Sequence, residues 1–313
     1  MSSSCYNWYN AWIISLTYFT LACFSNPISF SPLSLLHPNG IASDVNLRIL
    51  PLGDSITYGQ GSSDGNGYRL RLHTLLSPRH NVEYIGQERD GSMNNNHHEG
   101  HKGFPIGPVG ITGKRNYADR PNIVLLMAGT NDVVFQMNLE NAPNVLGQVI
   151  DEILAACPDA VVLVATLTPL LDANREARKV AFNAALPDMI DQRTKMGKHV
   201  LLVDMSRVTK EHINATDGIH PTEGGYQLIA GAWYDGIVAV GKKGWIGAPI
   251  SPPVEGDVAE DGEPPMGTAP VDARFETSSQ LLWVVAGVFV VGFAIQRVLR
   301  SSRWKRRYDW SLS

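Results

Sequence analysis

The sequence predicts an α/β fold: a mostly parallel sheet of five strands with helices covering both faces. Two observations point there. Five short apolar runs, LRILPL (47–52), VEYIG (82–86), NIVLLMAG (122–129), AVVLVAT (160–166) and HVLLVD (199–204), have strand length and little polar alternation, as buried strands do. Stretches of helical periodicity separate most of them, the pattern of crossover connections between parallel strands. Of three cysteines, Cys5 and Cys23 lie in an apolar N-terminal segment; if that segment is cleaved only Cys157 remains, and packing rather than a disulfide must hold the fold.

Taken in order, the first run leads into PLGDSITYG, whose Gly53 and Asp54 suit a tight turn after a strand. A helix follows over 68–77, then the second run, then the polar stretch NNNHHEGHKG, which has no helical pattern. Residues 104–120 are poorly periodic and predict no regular element. The third run precedes a helix over 143–156, in which Val145, Val149, Ile150, Ile153 and Leu154 form one apolar face. Cys157, at its end, reads as a small buried residue. Helices over 173–196 and 223–241 flank the last run. In open sheets of this kind, ligand sites form beyond the carboxyl ends of the strands, so the residues just after each run carry the functional information.

The two ends are of a different character. Residues 11–24, AWIISLTYFTLACF, have the length of a signal-peptide hydrophobic region but lack its basic flank, so 1–25 reads as a signal peptide or a signal anchor. Residues 249–279 are rich in Pro, Gly and acidic side chains and read as a flexible stalk. A transmembrane helix is predicted over 280–299, followed by a basic cytoplasmic tail over 300–313. The remaining folded domain spans 46–245. This organisation predicts a secretory-pathway protein, single-pass in the membrane, with its folded domain outside the cell. A net charge of −4 provides no cationic surface for phosphate and excludes nucleic acid as a partner of that domain.

Three strand-end blocks carry chemistry. Ser55, just behind the first strand, projects a hydroxyl at the sheet edge, and its backbone N–H opens the next segment unpaired, where it can stabilise an oxyanion. The third run ends in AGTND, and the Asn131 amide is a neutral donor suited to the same task. In DGIHP, Asp217 and His220 stand three apart, a spacing that lets the carboxylate hold imidazole Nδ1 while Nε2 takes the serine proton. Pro221 is expected to open the following helix at its first position.

Together, GDSIT, GTND and DGIH resemble, in order and separation, the signature blocks of SGNH/GDSL hydrolases. That resemblance, over about residues 46–241, implies a flavodoxin-like three-layer α/β/α sandwich. It further implies a serine nucleophile, Ser55, with Asp217 and His220 as its base pair. The implied oxyanion hole is made by Ser55, Gly103 and Asn131. Gly103 is preferred over Gly100 because HEGH-x-G is similar to a block of acetylxylan-esterase-like members (carbohydrate esterase family 3). Tyr68-Arg69 and VEYIGQERDG are similar to the same branch. The resemblance implies a serine esterase acting through an acyl-enzyme on a small ester or an acetylated polysaccharide, with no metal and no organic cofactor. Two alternatives stand beside it: a lipase or lysophospholipase on the same groups, and a non-catalytic glycan-binding surface module.

Other patterns are set aside. GSSDG (61–65) matches the string of an α/β-hydrolase nucleophile, but Ser63 lies in a polar Gly-rich loop instead of behind a strand. His97, His98, Glu99 and His101 lack zinc-site spacing and read as a polar loop at the site mouth. Asn214-Ala-Thr216 is a candidate glycosylation sequon.

Overall fold

The computed structural model describes residues 45–251. The segment 1–25, the transmembrane span 280–299, the tail 300–313 and nearly all of the 249–279 stalk lie outside the described residues. Among the described residues no helix is long and apolar enough to cross a membrane.

All five predicted strands form: β1 (Leu47–Gly53), β2 (Val82–Tyr84), β5 (Ile123–Met127), β6 (Val161–Ala165) and β7 (Val200–Val203). They lie in the order β2-β1-β5-β6-β7, and every neighbouring pair is parallel. The period of two along each strand divides the core. Leu50, Leu52, Val124, Leu126, Val162 and Val164 face one side, packed with Ile106, Val149, Ile150 and Leu186. Leu47, Ile49, Ile123, Leu125, Val161 and Leu163 face the other, packed with Tyr68, Leu72, Ile229 and Trp233. The result is the three-layer α/β/α sandwich. Its helices include α2 (Tyr68–Leu76), α3 (Ile106–Gly113), α5 (Ala142–Ala156), α6 (Ala173–Lys195) and α7 (Glu223–Lys242), while α1 (Ser55–Tyr58) and α4 (Thr130–Phe135) are short turns at strand ends. Cys157 is buried, and its thiol donates weakly to the Tyr117 carbonyl.

Two regions depart from expectation. The stretch read as a polar loop, His97–Gly100, is strand β4, which continues the edge of β1 where β2 stops: β2 pairs with Leu47–Ile49, and β4 with Leu52 and Gly53. A two-residue strand, β3 (Glu88–Arg89), lies antiparallel to it, making seven strands among the described residues. His98 and Glu99 are buried there. A polar strand gives no hydrophobic signal; Glu99 tolerates burial because three donors meet its carboxylate, as described below.

The aperiodic stretch 104–120 also contains helix α3 and a 3₁₀ turn, Lys114–Asp119. Glycines and a proline in IGPVGITG hide this helix. Pro108 falls in the first turn, where no backbone donor is needed. Gly110 is where the helix meets α5, since a Cβ there would stand 2.6 Å from Val149 Cγ2. The Asp132 carboxylate, from another segment, accepts the Ile106 N–H at 3.0 Å.

Candidate active site

The chain leaves β1 in one direction to form β2 and returns to the opposite side to form β5, so the carboxyl ends of β1 and β5 flank the switch point at which sheets of this kind bind ligands. Ser55 follows β1 and Asn131 follows β5. Gly53 ends β1 against the Met127 carbonyl and the Thr57 side chain, both of which a Cβ would strike. Asp54 turns the chain: its Oδ1 accepts the Ile56 N–H at 2.9 Å and caps α1. Ser55 is thereby held as the first residue of α1, with a backbone N–H that no other described residue accepts.

His220 arrives on a loop closed by its own hydrogen bonds. The Asn214 N–H donates to the His220 carbonyl at 2.8 Å, and the Thr222 N–H to the His212 carbonyl at 2.8 Å. The Leu171 N–H donates to the Gly218 carbonyl at 2.9 Å, tying this loop to the segment after β6. His220 Nε2 lies 2.8 Å from Ser55 Oγ, and Nδ1 lies 2.8 Å from Asp217 Oδ2. Asp217 Oδ1 accepts the N–H groups of Ile219 and His220 at 2.8 and 2.9 Å, which fixes the rotation of the carboxylate. Partial burial pushes the Asp217 carboxyl up, but these N–H groups and the His220 ring outweigh it and hold it below the ordinary aspartate range. With an anion at Nδ1, the imidazole keeps its proton on that side and presents Nε2 as acceptor to the serine hydroxyl. Pro221 does not open α7: Thr222 caps that helix and Glu223 is its first residue, because a side-chain oxygen at 222 accepts the Gly225 N–H.

Asn131 Nδ2 donates one hydrogen to the Phe104 carbonyl at 2.9 Å, leaving the second available. Of the two glycines, Gly100 lies in β4 and its N–H donates to His98 Nδ1 at 3.0 Å. Gly103 has φ +77, open space where a Cβ would sit, and an N–H that no other described residue accepts. The tertiary structure therefore gathers Ser55, Asp217 and His220 in one line and brings the Gly103–Phe104 turn to Asn131.

Other singled-out residues fall elsewhere. Ser63 is exposed on the loop after α1, its N–H donated to the Glu223 carboxylate. Asn214 is half-buried, and its side chain accepts the Thr216 N–H at 2.8 Å. Arg69 is buried, with guanidinium donors reaching the carbonyls of Asn96, Tyr58, Gly65 and Asp90 at 2.8 to 3.0 Å. Sequence reasoning missed two buried carboxyls beside the site. Burial raises Asp54, and burial together with the Asp54 charge raises Asp132 to about 6. Their signal was an acid in each block that follows an apolar strand: Asp54 next to Gly53, and Asp132 next to Asn131. Among the described residues no group of three or more His, Cys, Asp or Glu could hold a metal ion.

A hydroxyl, imidazole and carboxylate aligned over the strand ends of an α/β/α sandwich define a serine hydrolase site. The profile of the GDSL-like lipase/acylhydrolase family matches residues 52–228, more than half of the sequence, and the chain belongs to that family. Residues 52–228 thus form a GDSL-like lipase/acylhydrolase domain. The chain is 28% identical over 243 residues to a multidomain esterase of Ruminococcus flavefaciens, a match covering 67% of this chain and 31% of the relative. It therefore spans less than a third of that protein's length. Among solved structures, a family 3 carbohydrate esterase of Clostridium thermocellum is 28% identical, with a TM-score of 0.58 over 64% of this chain and 100% of the other. A family 3 carbohydrate esterase from Talaromyces cellulolyticus, 24% identical, shares the fold with a TM-score of 0.53 over 63% of this chain and 99% of its own.

Proposed function

We propose that the chain is a serine esterase that removes acetyl groups from carbohydrate through an acyl-enzyme. The observation that carries this reading is the continuous line from Asp217 Oδ2 through His220 to Ser55 Oγ, 2.8 Å at each junction. His220 Nε2 takes the hydroxyl proton as Ser55 Oγ bonds to the ester carbonyl carbon. The carbonyl oxygen becomes an oxyanion, which the Ser55 and Gly103 N–H groups and the Asn131 amide stabilise. Imidazolium returns the proton to the leaving alkoxide oxygen as the ester C–O bond breaks. Water then repeats the cycle at the acyl carbon, releasing acid and restoring the serine. A carbohydrate ester as substrate is supported by likeness to the family 3 carbohydrate esterase of Clostridium thermocellum, and ester hydrolysis by likeness to the Ruminococcus esterase.

The apolar segments at 11–24 and 281–295 support a placement in the secretory pathway, with the enzyme domain tethered outside the cell. A glycosidase-sensitive mass shift at the Asn214 sequon, lost in Asn214→Gln, is the expected sign of that topology.

Ser55→Ala should abolish hydrolysis of p-nitrophenyl acetate and labelling by a fluorophosphonate probe, and wild-type turnover in this variant would refute the assignment. A profile of acyl-chain length should peak at acetyl. A peak at long chains would make the enzyme a lipase instead, and failure of the wild-type chain to react with the probe would leave a glycan-binding module.

A further inference from the structure

Behind the turn that carries Gly103 lies a second carboxylate–imidazole pair. Glu99 is fully buried, and its two oxygens receive three donors from three segments: the Gln87 N–H at 3.0 Å, Asn116 Nδ2 at 2.8 Å and His101 Nε2 at 2.6 Å. Burial by itself would raise this carboxyl, yet those donors hold it below the usual glutamate range, so it stays anionic. A buried anion is costly to keep, and an apolar side chain would fill the same space without that cost; what the anion adds is directional hold on the groups that reach it.

One of those groups reaches the proposed oxyanion site. The His101 N–H donates to the Gly53 carbonyl at 3.0 Å, two residues before the serine. Its carbonyl accepts the Phe104 N–H at 3.3 Å, closing a turn through Lys102 and Gly103, and φ +77 at Gly103 is the value a type II turn requires at its third residue. That hydrogen bond is long, and the turn has a second brace: the His101 and Phe104 rings are stacked, 4.8 Å between centroids at 17°. The Phe104 carbonyl in turn accepts from Asn131 Nδ2 at 2.9 Å and so sets the rotation of that amide.

We propose that Glu99 and His101 are positioning residues for the oxyanion hole: the carboxylate fixes the imidazole, and the imidazole, stacked on Phe104, fixes both the Gly103 N–H and the Asn131 amide. Neither touches the substrate. This inference rests on the reading of Ser55, Gly103 and Asn131 given above. Because an oxyanion exists only once the carbonyl is attacked, displaced donors weaken the transition state and leave substrate binding nearly intact.

The test is a double-mutant cycle on the full chain with p-nitrophenyl acetate. His101→Ala should lower kcat about 10- to 100-fold with KM within about twofold, the scale of a donor misplaced by a fraction of an ångström. Combined with Asn131→Ala, the loss should fall short of the product of the two single losses by about tenfold. A trifluoromethyl ketone, which forms a tetrahedral oxyanion on the serine, should bind His101→Ala more weakly by the same factor as kcat falls. If His101→Ala does not fold, the cycle is run with His101→Phe, which keeps the ring stack and loses the bond to Glu99. Multiplicative losses, an unchanged kcat, or a raised KM at constant kcat each overturn the inference. Retained turnover in Ser55→Ala would defeat the underlying site reading, whereas an inactive Ser55→Ala beside fully active His101 variants defeats this inference alone.

Discussion

Replacing Asp217 by Asn should slow turnover more than replacing it by Ala, and the reason lies in how the carboxylate is held. Asp217 Oδ1 accepts two backbone N–H groups, from Ile219 and His220, while Oδ2 faces His220 Nδ1. An asparagine here keeps those two bonds only by placing its carbonyl oxygen at the Oδ1 position, which aims its NH2 group at Nδ1. The ring must then carry its proton on Nε2, where it cannot accept from Ser55. Rotating the amide to restore the correct tautomer turns two N–H groups toward an NH2 group; at about 0.5–1.5 kcal/mol per lost bond, plus the unmet donors, the productive rotamer is held roughly 2–4 kcal/mol higher. With the loss of the negative charge, the expected fall in kcat is about 10³- to 10⁴-fold. Alanine imposes no wrong tautomer. The Asp217 side chain is 38% exposed, so water can enter and accept from Nδ1, and the expected fall is only about 10²- to 10³-fold. The assay is kcat on p-nitrophenyl acetate for both variants at one pH above 7. An Ala variant slower than the Asn variant, or an Asn variant near wild type, would refute this account of the loop.

Three further outcomes follow from the same geometry. Asn131→Ala should lower kcat about 10²- to 10³-fold with little change in KM, measured by steady-state kinetics. Asp132 is raised to about 6 in the fold against about 3.9 unfolded, so the native state favours its protonated form; that stability is full below about pH 4 and is lost as pH rises through about 6, by roughly 2–3 kcal/mol. Asp132→Asn keeps an acceptor for the Ile106 N–H without the charge, so urea denaturation should find it more stable than wild type at pH 7.5, with the gap closing toward pH 4.5. Arg69→Lys should destabilise by about 2–4 kcal/mol in the same assay, because one ammonium cannot reach the four carbonyls of Asn96, Tyr58, Gly65 and Asp90 and leaves some of them buried without donors.

The elements legible in the sequence are those encoded by local patterns. Strands β1, β2, β5, β6 and β7 are apolar runs whose length and composition differ from anything around them, and the longer helices carry their own periodicity. The Asp217–His220 pair is legible for a similar reason, since both groups sit on one turn and three residues suffice to join them. β4 and α3 were not legible. One is a polar strand and the other a glycine-rich helix, and each exists because of partners far along the chain: β1 for the first, Val149 and Asp132 for the second.

From residue order alone came the layered architecture, the strand-end serine and the imidazole–carboxylate turn, because each depends on interactions between neighbours in the chain. The 2.8 Å approach of Ser55 to His220 spans 165 positions, and the burial of Glu99 and the raised Asp132 depend on groups from separate segments. Those were decided only by packing, which sets solvent exposure and brings distant donors and acceptors within bonding range.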